Sequence, residues 1–404
     1  MRQRRLWIEP FKLRSLSANL LAGLTVAIVA LPLALGFGIA SGLGPAAGLV
    51  SAVIAGVLAA AFGGSRFQVS GPTGAMTAVL IPIVHQFGVS ATLAVGFLAG
   101  LFLVLASLAK LGKYIHHLPD SLVEGLTAGI AIVIAMQQVA FVLGVPVVSE
   151  ERVWLSAWTE LGLWFESPTL TPLSMALSVL VINVLGAKFF PRLPLALASV
   201  VLATLVSSSL GLKLELIGEL PRFELLPSLE FLIKQPLLLL IAPAFSVALL
   251  AGLESLLSAK IADRMKADGN EHLPNRELFG QGIANLVTPL FGGVPATAAL
   301  ARTAVNVRSG ATNPSSAIFH SLFLAGFVLL GSQWVGLIPL AALGGVLIAT
   351  AWRMIHVSML QELFQRSRVD AGILTATILT AVAVDLIAAV LVGIALTLVM
   401  RKRS

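Results

Sequence analysis

Two charged side chains stand deep inside apolar sequence, and they are the residues best placed to do chemistry. Glu254 lies in FSVALLAGLESLLS (245–258), and Arg302 lies in GGVPATAALARTAVNVRSG (292–310). A carboxylate at membrane depth is costly unless it is paired, protonated or bound to a cation, so it marks function by default. Glu254 could load and release a proton, or hold Na⁺ together with Ser258, which follows one helical turn later on the same face. Arg302 has several roles open to it: the full positive charge of an anion pocket, a gate residue, or the structural partner of Glu254.

The elements that must position these groups are broken ones. The stretch 292–310 is too short and too interrupted to cross a bilayer as one helix. Its helix should begin after Pro295, leaving the amides near Ala301, Arg302 and Thr303 without partners in the chain. A stretch of the same make occurs 229 positions earlier, where Phe62-Gly63-Gly64 matches Phe291-Gly292-Gly293. There Pro72 suits a first helical position, and the amides of Thr73 and Gly74 would stand free. A short strand is expected before each half helix. Phe37, beyond Pro32 in the first apolar run, could wall the pocket, with Pro32 breaking that run mid-membrane. Each helix start carries about half a positive charge, and free amides with that dipole bind anions. Paired broken segments in two halves of a membrane protein point to a binding site between them.

Composition agrees. Of 404 residues, 57% are hydrophobic and only 11% charged, with a mean hydropathy of +0.97, which places the chain among all-α polytopic membrane proteins. The absence of Cys excludes disulfides, thiolate metal sites and Cys nucleophiles. No P-loop, H-E-x-x-H or G-x-S-x-G occurs, so neither ATP-driven pumping nor hydrolysis is supported. The protein is not expected to be an enzyme, to carry a cofactor beyond a coupling proton or Na⁺, or to bind nucleic acid. His85 and His320 lack a second ligand at metal spacing and read as satisfied packing histidines.

Apolar runs near 19–39, 43–61, 72–88, 91–111, 121–144, 171–189 and 193–210 are followed by a linker, 211–236. A second set lies near 237–262, 276–291, 298–309, 312–332, 336–354, 369–384 and 385–401. The fold expected is therefore fourteen transmembrane segments in two repeats of seven, 1–210 and 237–404. With a cytoplasmic amino terminus, twenty-one Lys and Arg fall in inside loops and four, Arg152, Lys213, Arg222 and Lys234, outside. Both termini are thus expected in the cytoplasm, in a bacterial inner membrane. An odd number of spans per half makes the repeats inverted. The outer loop 146–171, with Trp154, Trp158 and Trp164, reads as an interfacial belt on an amphipathic helix. Glu124 is expected to snorkel, Gln137 and Gln138 to bond between helices, and Asp385 to mark the break between the last two spans.

Four segments carry a family resemblance: VALPLALGF (29–37), FQVSGPTGAM (67–76), LESLL (253–257) and GGVPATAALARTAVN (292–306). They resemble the membrane domain of the sulfate permease (SulP) family of anion transporters, along essentially the whole chain. The resemblance implies a UraA-like fold in which a core of spans 1–4 and 8–11 moves against a gate of spans 5–7 and 12–14. It also implies a homodimer and an anion site between the third and tenth spans. Carried over by position, Phe37, Thr73, Gly74 and the backbone of Ala301, Arg302 and Thr303 bind substrate, while Glu254 and Ser258 hold the coupling ion. Family members usually continue into a cytoplasmic STAS domain, which this sequence does not include. The function expected is secondary active transport of bicarbonate, sulfate, chloride or a dicarboxylate such as fumarate. Proton symport by an elevator-like alternating access is favoured over Na⁺ coupling, because relatives that use Na⁺ can carry Asp where this chain has Glu254. An uncoupled anion channel is the rival from another class. A nucleobase permease is disfavoured, because the later half helix offers Arg302 and no carboxylate.

Overall fold

Backbone in lipid has no water to bond, so apolar runs must satisfy their amides and carbonyls within helices. The computed structural model describes residues 13–117, 119–148, 150, 152–190, 194–219, 227–233, 235–266 and 268–400. Arg2, Arg4, Arg5, Lys12, Arg192, Arg222, Lys234, Arg401, Lys402 and Arg403 lie outside that set. In order come α1 (Leu13–Ala40), α2 (Pro45–Phe62), strand β1 (Ser70–Gly71), α3 (Gly74–Leu108), α4 (Asp120–Gln137) and α5 (Val139–Leu143). Next are α6 (Val153–Glu166), α7 (Leu170–Phe189), α8 (Leu195–Leu210), the short α9 (Glu230–Ile233), α10 (Leu237–Lys266), α11 (Pro274–Val287) and strand β2 (Thr297–Ala298). The chain ends with α12 (Leu300–Arg308), α13 (Ser315–Val335), α14 (Leu340–Met354), α15 (Val357–Arg366), α16 (Arg368–Ala383) and α17 (Leu386–Met400).

Every expected apolar run coincides with helix, and both expected strands are present. Among the described residues seven helical runs are long and apolar enough to cross a membrane, with Leu195–Leu210, Ser315–Gly331 and Ala388–Val399 as shorter apolar helices. Length and hydropathy alone therefore establish fewer spans than fourteen. The expected division of 72–111 into two spans occurs inside α3 at Gly88, whose φ of 81° and ψ of 174° belong to no helix. Pro32, by contrast, does not break its span: α1 runs through it. Membrane helices absorb one missing amide where neighbouring groups compensate.

The chain divides into two compact units. One holds the described residues of 1–76, 86–115 and 218–336, the other those of 77–85, 116–217 and 337–404. In the first unit small residues let backbones meet. A methyl group on Gly48 would lie 2.0 Å from the Ala34 carbonyl oxygen, and one on Gly280 would lie 2.5 Å from Gly63 Cα. Small apolar side chains such as Ala55, Ala59, Ala284 and Ala296 fill the interior.

α11 carries a buried polar stripe, Glu277, Gln281 and Asn285, at four-residue spacing. Glu277 Oε2 accepts the amides of Gly64 and Ser65, each at 2.9 Å. Gln281 Nε2 donates to Ser70 Oγ at 2.8 Å and to Glu277 Oε1 at 3.0 Å. Asn285 takes both backbone groups of Ala296, Nδ2 donating to the carbonyl and Oδ1 accepting the amide, each at 2.8 Å. One helix face thus holds the irregular chain that leads into each strand. The sequence reading did not single out this stripe.

In the second unit, Arg353 Nη2 donates to the Asn183 carbonyl at 3.0 Å, and Ser121 Oγ donates to Asp370 Oδ1 at 3.0 Å. Gln138 bonds within its own helix, to the Ile134 carbonyl at 3.3 Å, and not between helices as expected. Glu124 meets His356 Nδ1 at 3.2 Å. Asp385 caps α17 by accepting the Ala388 amide at 2.7 Å. α6 is the helix expected in the loop 146–171, with Trp154 and Trp158 exposed. On its other face Glu160 is buried and accepts the Val148 amide at 3.1 Å; burial pushes its carboxyl above the usual range.

Two tests follow from these contacts. Asn285→Ala leaves both backbone groups of Ala296 unpaired, a loss of about 1–3 kcal/mol for each buried group, and should lower the melting temperature of the purified protein. An unchanged melting curve would remove the stripe from the fold's supports. At the edge of the same unit, Arg66 grips Asp268 with two bonds of 2.9 and 2.8 Å and lowers its carboxyl to about 2. The folded value lies below the unfolded one, so the pair stabilises above about pH 4 and that contribution fades as pH falls toward 2. Asp268→Asn should therefore flatten the fall of melting temperature over that window.

Candidate anion site

The site is built on the two short strands. β1 and β2 pair antiparallel, with Ser70 opposite Ala298 and Gly71 opposite Thr297. Because the strands run in opposite senses, α3 and α12 leave the pair in opposite directions, each with its amino end at the sheet. The Ala299 amide donates to the Val69 carbonyl at 3.0 Å and extends the pairing.

Each start is capped differently. At α3 the N-cap is Thr73, whose Oγ1 accepts the Met76 amide at 3.3 Å. At α12 the N-cap is Ala299, which has no side-chain oxygen to offer. The first bond within that helix runs from the Thr303 amide to the Ala299 carbonyl at 2.9 Å. The amides of Leu300, Ala301 and Arg302 precede it and point out of the helix start. Thr303, expected to offer its amide to substrate, uses it inside the helix instead. Its hydroxyl accepts the Val69 amide at 3.2 Å and the Ser258 hydroxyl at 3.3 Å.

Arg302 differs most from expectation. Its side chain is 1% exposed, and Nη2 donates to the Pro72 carbonyl in the turn that launches α3. The guanidinium therefore ties the start of one half helix to the start of the other. Gly71 makes room for it: a methyl group there would lie 2.5 Å from Arg302 Nη1 and 3.1 Å from Ala52 Cα. Arg302 and Glu254 form no ion pair; among the described residues the close pairs are Arg66–Asp268, His272–Asp263 and His356–Glu124.

Glu254 is half-buried on α10, and its Oε2 accepts the Thr73 hydroxyl at 3.1 Å. Thr73 thus touches both the Met76 amide and the carboxylate. Ser258, one turn further, reaches Thr303 of α12. The two residues expected to hold the coupling ion contact one half helix each. Phe37 is 6% exposed in α1. A separate groove of about 220 Å³ lies in the second unit, between Ser174 and Ser178 on α7 and Ser199 on α8. Those hydroxyls donate to carbonyls of their own helices, so the groove offers little to an anion. Among the described residues no His, Asp and Glu group has the spacing of a metal site.

Several supporting residues escaped the sequence reading. Thr297 Oγ1 donates to the Ala251 carbonyl at 3.1 Å, so in its 2.9 Å contact with Ser255 the serine is the donor. Ser255 Oγ also accepts the Ala298 amide at 3.1 Å, and Gln68 Nε2 donates to the Ser255 carbonyl. Asn306 Nδ2 reaches the Phe67 carbonyl at 2.8 Å and Ser316 Oγ at 2.9 Å. The available signal was polar residues recurring every four positions in apolar helices, as in Gln281–Asn285 and Arg302–Asn306. His85 is exposed, and His320 is fully buried with neither ring nitrogen bonded to a protein group, so neither is a satisfied packing histidine.

Opposed half helices starting from one strand pair inside an apolar helical scaffold define a membrane transporter. The chain belongs to the sulfate permease family: residues 16–377 match the model described as "Sulfate permease family". It is thus an anion transporter and not an enzyme. It is 38% identical over 96% of its length to "Putative sulfate transporter YvdB" of Bacillus subtilis, covering 74% of that protein. It is 33% identical over 94% of its length to "Bicarbonate transporter BicA" of a Picosynechococcus species, covering 69% of it. The solved transmembrane domain of a cyanobacterial BicA superposes with a TM-score of 0.82 at 32% identity, over 94% of this chain and 98% of that one. The structure of SLC26A9 shares the fold, with a TM-score of 0.86 at 17% identity over 97% of this chain and 66% of that one.

The Gly71 contact generates a specific test. Gly71→Ala should lower the melting temperature, because the methyl displaces the guanidinium; overpacking costs about 1–3 kcal/mol. Arg302→Met removes that obstacle, so the double variant should lose less than the two single losses combined. Strict additivity would show that Gly71 and Arg302 do not touch.

Proposed function

We propose that the protein moves a small anion by secondary active transport, with the anion held between the starts of α3 and α12 and Glu254 as the coupling group. The observation that carries this reading is the Thr73 hydroxyl, shared between the cap of α3 and the Glu254 carboxylate. An ionised Glu254 draws the Thr73 proton toward itself and sets a negative charge beside the pocket. Protonation of Glu254 removes that charge and lets the hydroxyl turn toward an incoming anion. Proton and anion then load together, which is the requirement for symport.

Na⁺ coupling is the second reading. Ser258 and Thr303 hold hydroxyl oxygens 3.3 Å apart, one helical turn from Glu254, and hard cations take such oxygen ligands. The relatives' names make sulfate and bicarbonate the first substrates to test. Chloride and dicarboxylates such as fumarate come next, since helix-start amides accept any anion of fitting size. The movement we infer is alternating access, in which a core of spans 1–4 and 8–11 carries the anion past a gate of spans 5–7 and 12–14. The protein would work as a homodimer in the lipid of a bacterial inner membrane, with both termini in the cytoplasm.

Glu254→Gln should abolish uptake of labelled sulfate or bicarbonate driven by an inward proton gradient in proteoliposomes, while the variant keeps its melting temperature. Uphill uptake unchanged in that variant would eliminate Glu254 as the coupling group. Uptake that follows an inward Na⁺ gradient alone would select the second reading.

A further inference from the structure

Behind the strand pair lies a set of buried polar atoms with no protein partner: Arg302 Nη1, Asn306 Oδ1 and both ring nitrogens of His320. Arg302 is 1% exposed, and Asn306 and His320 are fully buried. Orphaned polar atoms inside an apolar scaffold are costly, and ordered water is the usual remedy.

Their arrangement is specific. Asn306 on α12 bonds Ser316 on α13 at 2.9 Å, and only residues 309–314 separate the two helices. One turn back from Asn306 on its helix is Arg302, and one turn on from Ser316 on its helix is His320, so each shares a helix face with one partner of that bond. Ser321, next to His320, donates to the Ala52 carbonyl at 3.2 Å, and Ala52 borders the Gly71–Arg302 contact, so α2 brings this turn of α13 near the guanidinium, whose charge acts on the His320 ring.

The donors and acceptors then fall into a single order. Arg302 has only donors to give. Asn306 gives both Nδ2 protons away, to the Phe67 carbonyl and Ser316 Oγ, which fixes its amide and leaves Oδ1 as an acceptor. A neutral imidazole has one acceptor and one donor nitrogen and completes a chain between them. An imidazolium would set donor against donor at Arg302. We propose that His320, as one neutral tautomer, links Arg302 to Asn306 through ordered water. Arg302 Nη1–H is directed toward one ring nitrogen, and the other ring N–H toward Asn306 Oδ1. His320 is thereby a positioning residue: it steadies the guanidinium that joins the two half-helix starts, and it touches no substrate. The effect on transport rests on the anion-site reading above, whereas the hydrogen-bond chain does not.

The test pairs two substitutions with a spectrum. His320→Gln keeps an acceptor and a donor, while His320→Leu keeps the bulk and neither. In proteoliposomes supplied with labelled sulfate or bicarbonate, the Leu variant should raise KM about tenfold, the order expected when a buried bond to a charged group is lost. Its turnover should stay near that of the parent while its melting temperature falls, because two buried polar groups lose their partner, and the Gln variant should lie within about twofold of the parent KM. A packing role alone predicts the opposite, with Leu harmless. In parallel, ¹⁵N-histidine spectra, with the His320 signal among the six identified by its loss in the Gln variant, should show one neutral tautomer. A parental KM in the Leu variant, a Gln variant as impaired as Leu, or a charged or tautomerically averaged ring would overturn the proposal. If the parent protein moves neither anion, the transport reading fails by itself, and the ring spectrum still decides the assignment of His320.

Discussion

Two short stretches of non-helical backbone lie within an apolar helical body, and every group they expose must find a partner in protein. That constraint organises the first unit. Glu277 receives the amides of Gly64 and Ser65, Asn285 holds Ala296, Ser255 receives Ala298, and Asn306 holds Phe67. These four side chains come from three helices, α10, α11 and α12, so the irregular chain is tied to its surroundings from several sides. At the start of α12 the amides that precede the first helical bond stand free, where they have a use.

Arg302 shows how a charge is housed in such a place. A guanidinium facing open solvent would add its field to the pocket and nothing else. Turned inward onto the Pro72 carbonyl, under a glycine that leaves room for it, the guanidinium spans both half helices. Its charge stays near the candidate anion site while its geometry ties the two helix starts together. The same economy is visible in Thr73, one hydroxyl that serves as helix cap and as contact to Glu254. Positions that combine scaffold and chemistry in this way tolerate little change in shape, because a shift felt by one role is felt by the other.

The helical body, the two short strands and the paired half helices were legible because each leaves a mark in local sequence: unbroken apolar length, the repeated Phe-Gly-Gly, and Pro72 beside a helix start. The seam within α3 was legible for the same reason, as a boundary between the runs 72–88 and 91–111, though Gly88 itself was not singled out. Side-chain direction was not. Nothing in the sequence around Arg302 says whether it faces inward or outward, since that depends on Gly71 and Pro72, some 230 positions away, arriving beside it. Thr303 likewise is the first residue whose amide the helix uses itself, a boundary too fine for pattern reading. The stripe on α11 was visible as spacing, but its partners at Gly64, Ser70 and Ala296 exist only after folding. Pro32 misled because a missing amide is decisive in an isolated helix and minor in a packed one.

The central claim is that the starts of α3 and α12 together hold the anion. The most direct measurement is an anomalous difference map from crystals soaked in selenate, an analogue of sulfate with a strong selenium signal. The account predicts one dominant peak within hydrogen-bond reach of the amides at Gly74, Ala301 and Arg302, close to the Thr73 hydroxyl. A dominant peak away from both helix starts, with none between them, would contradict it.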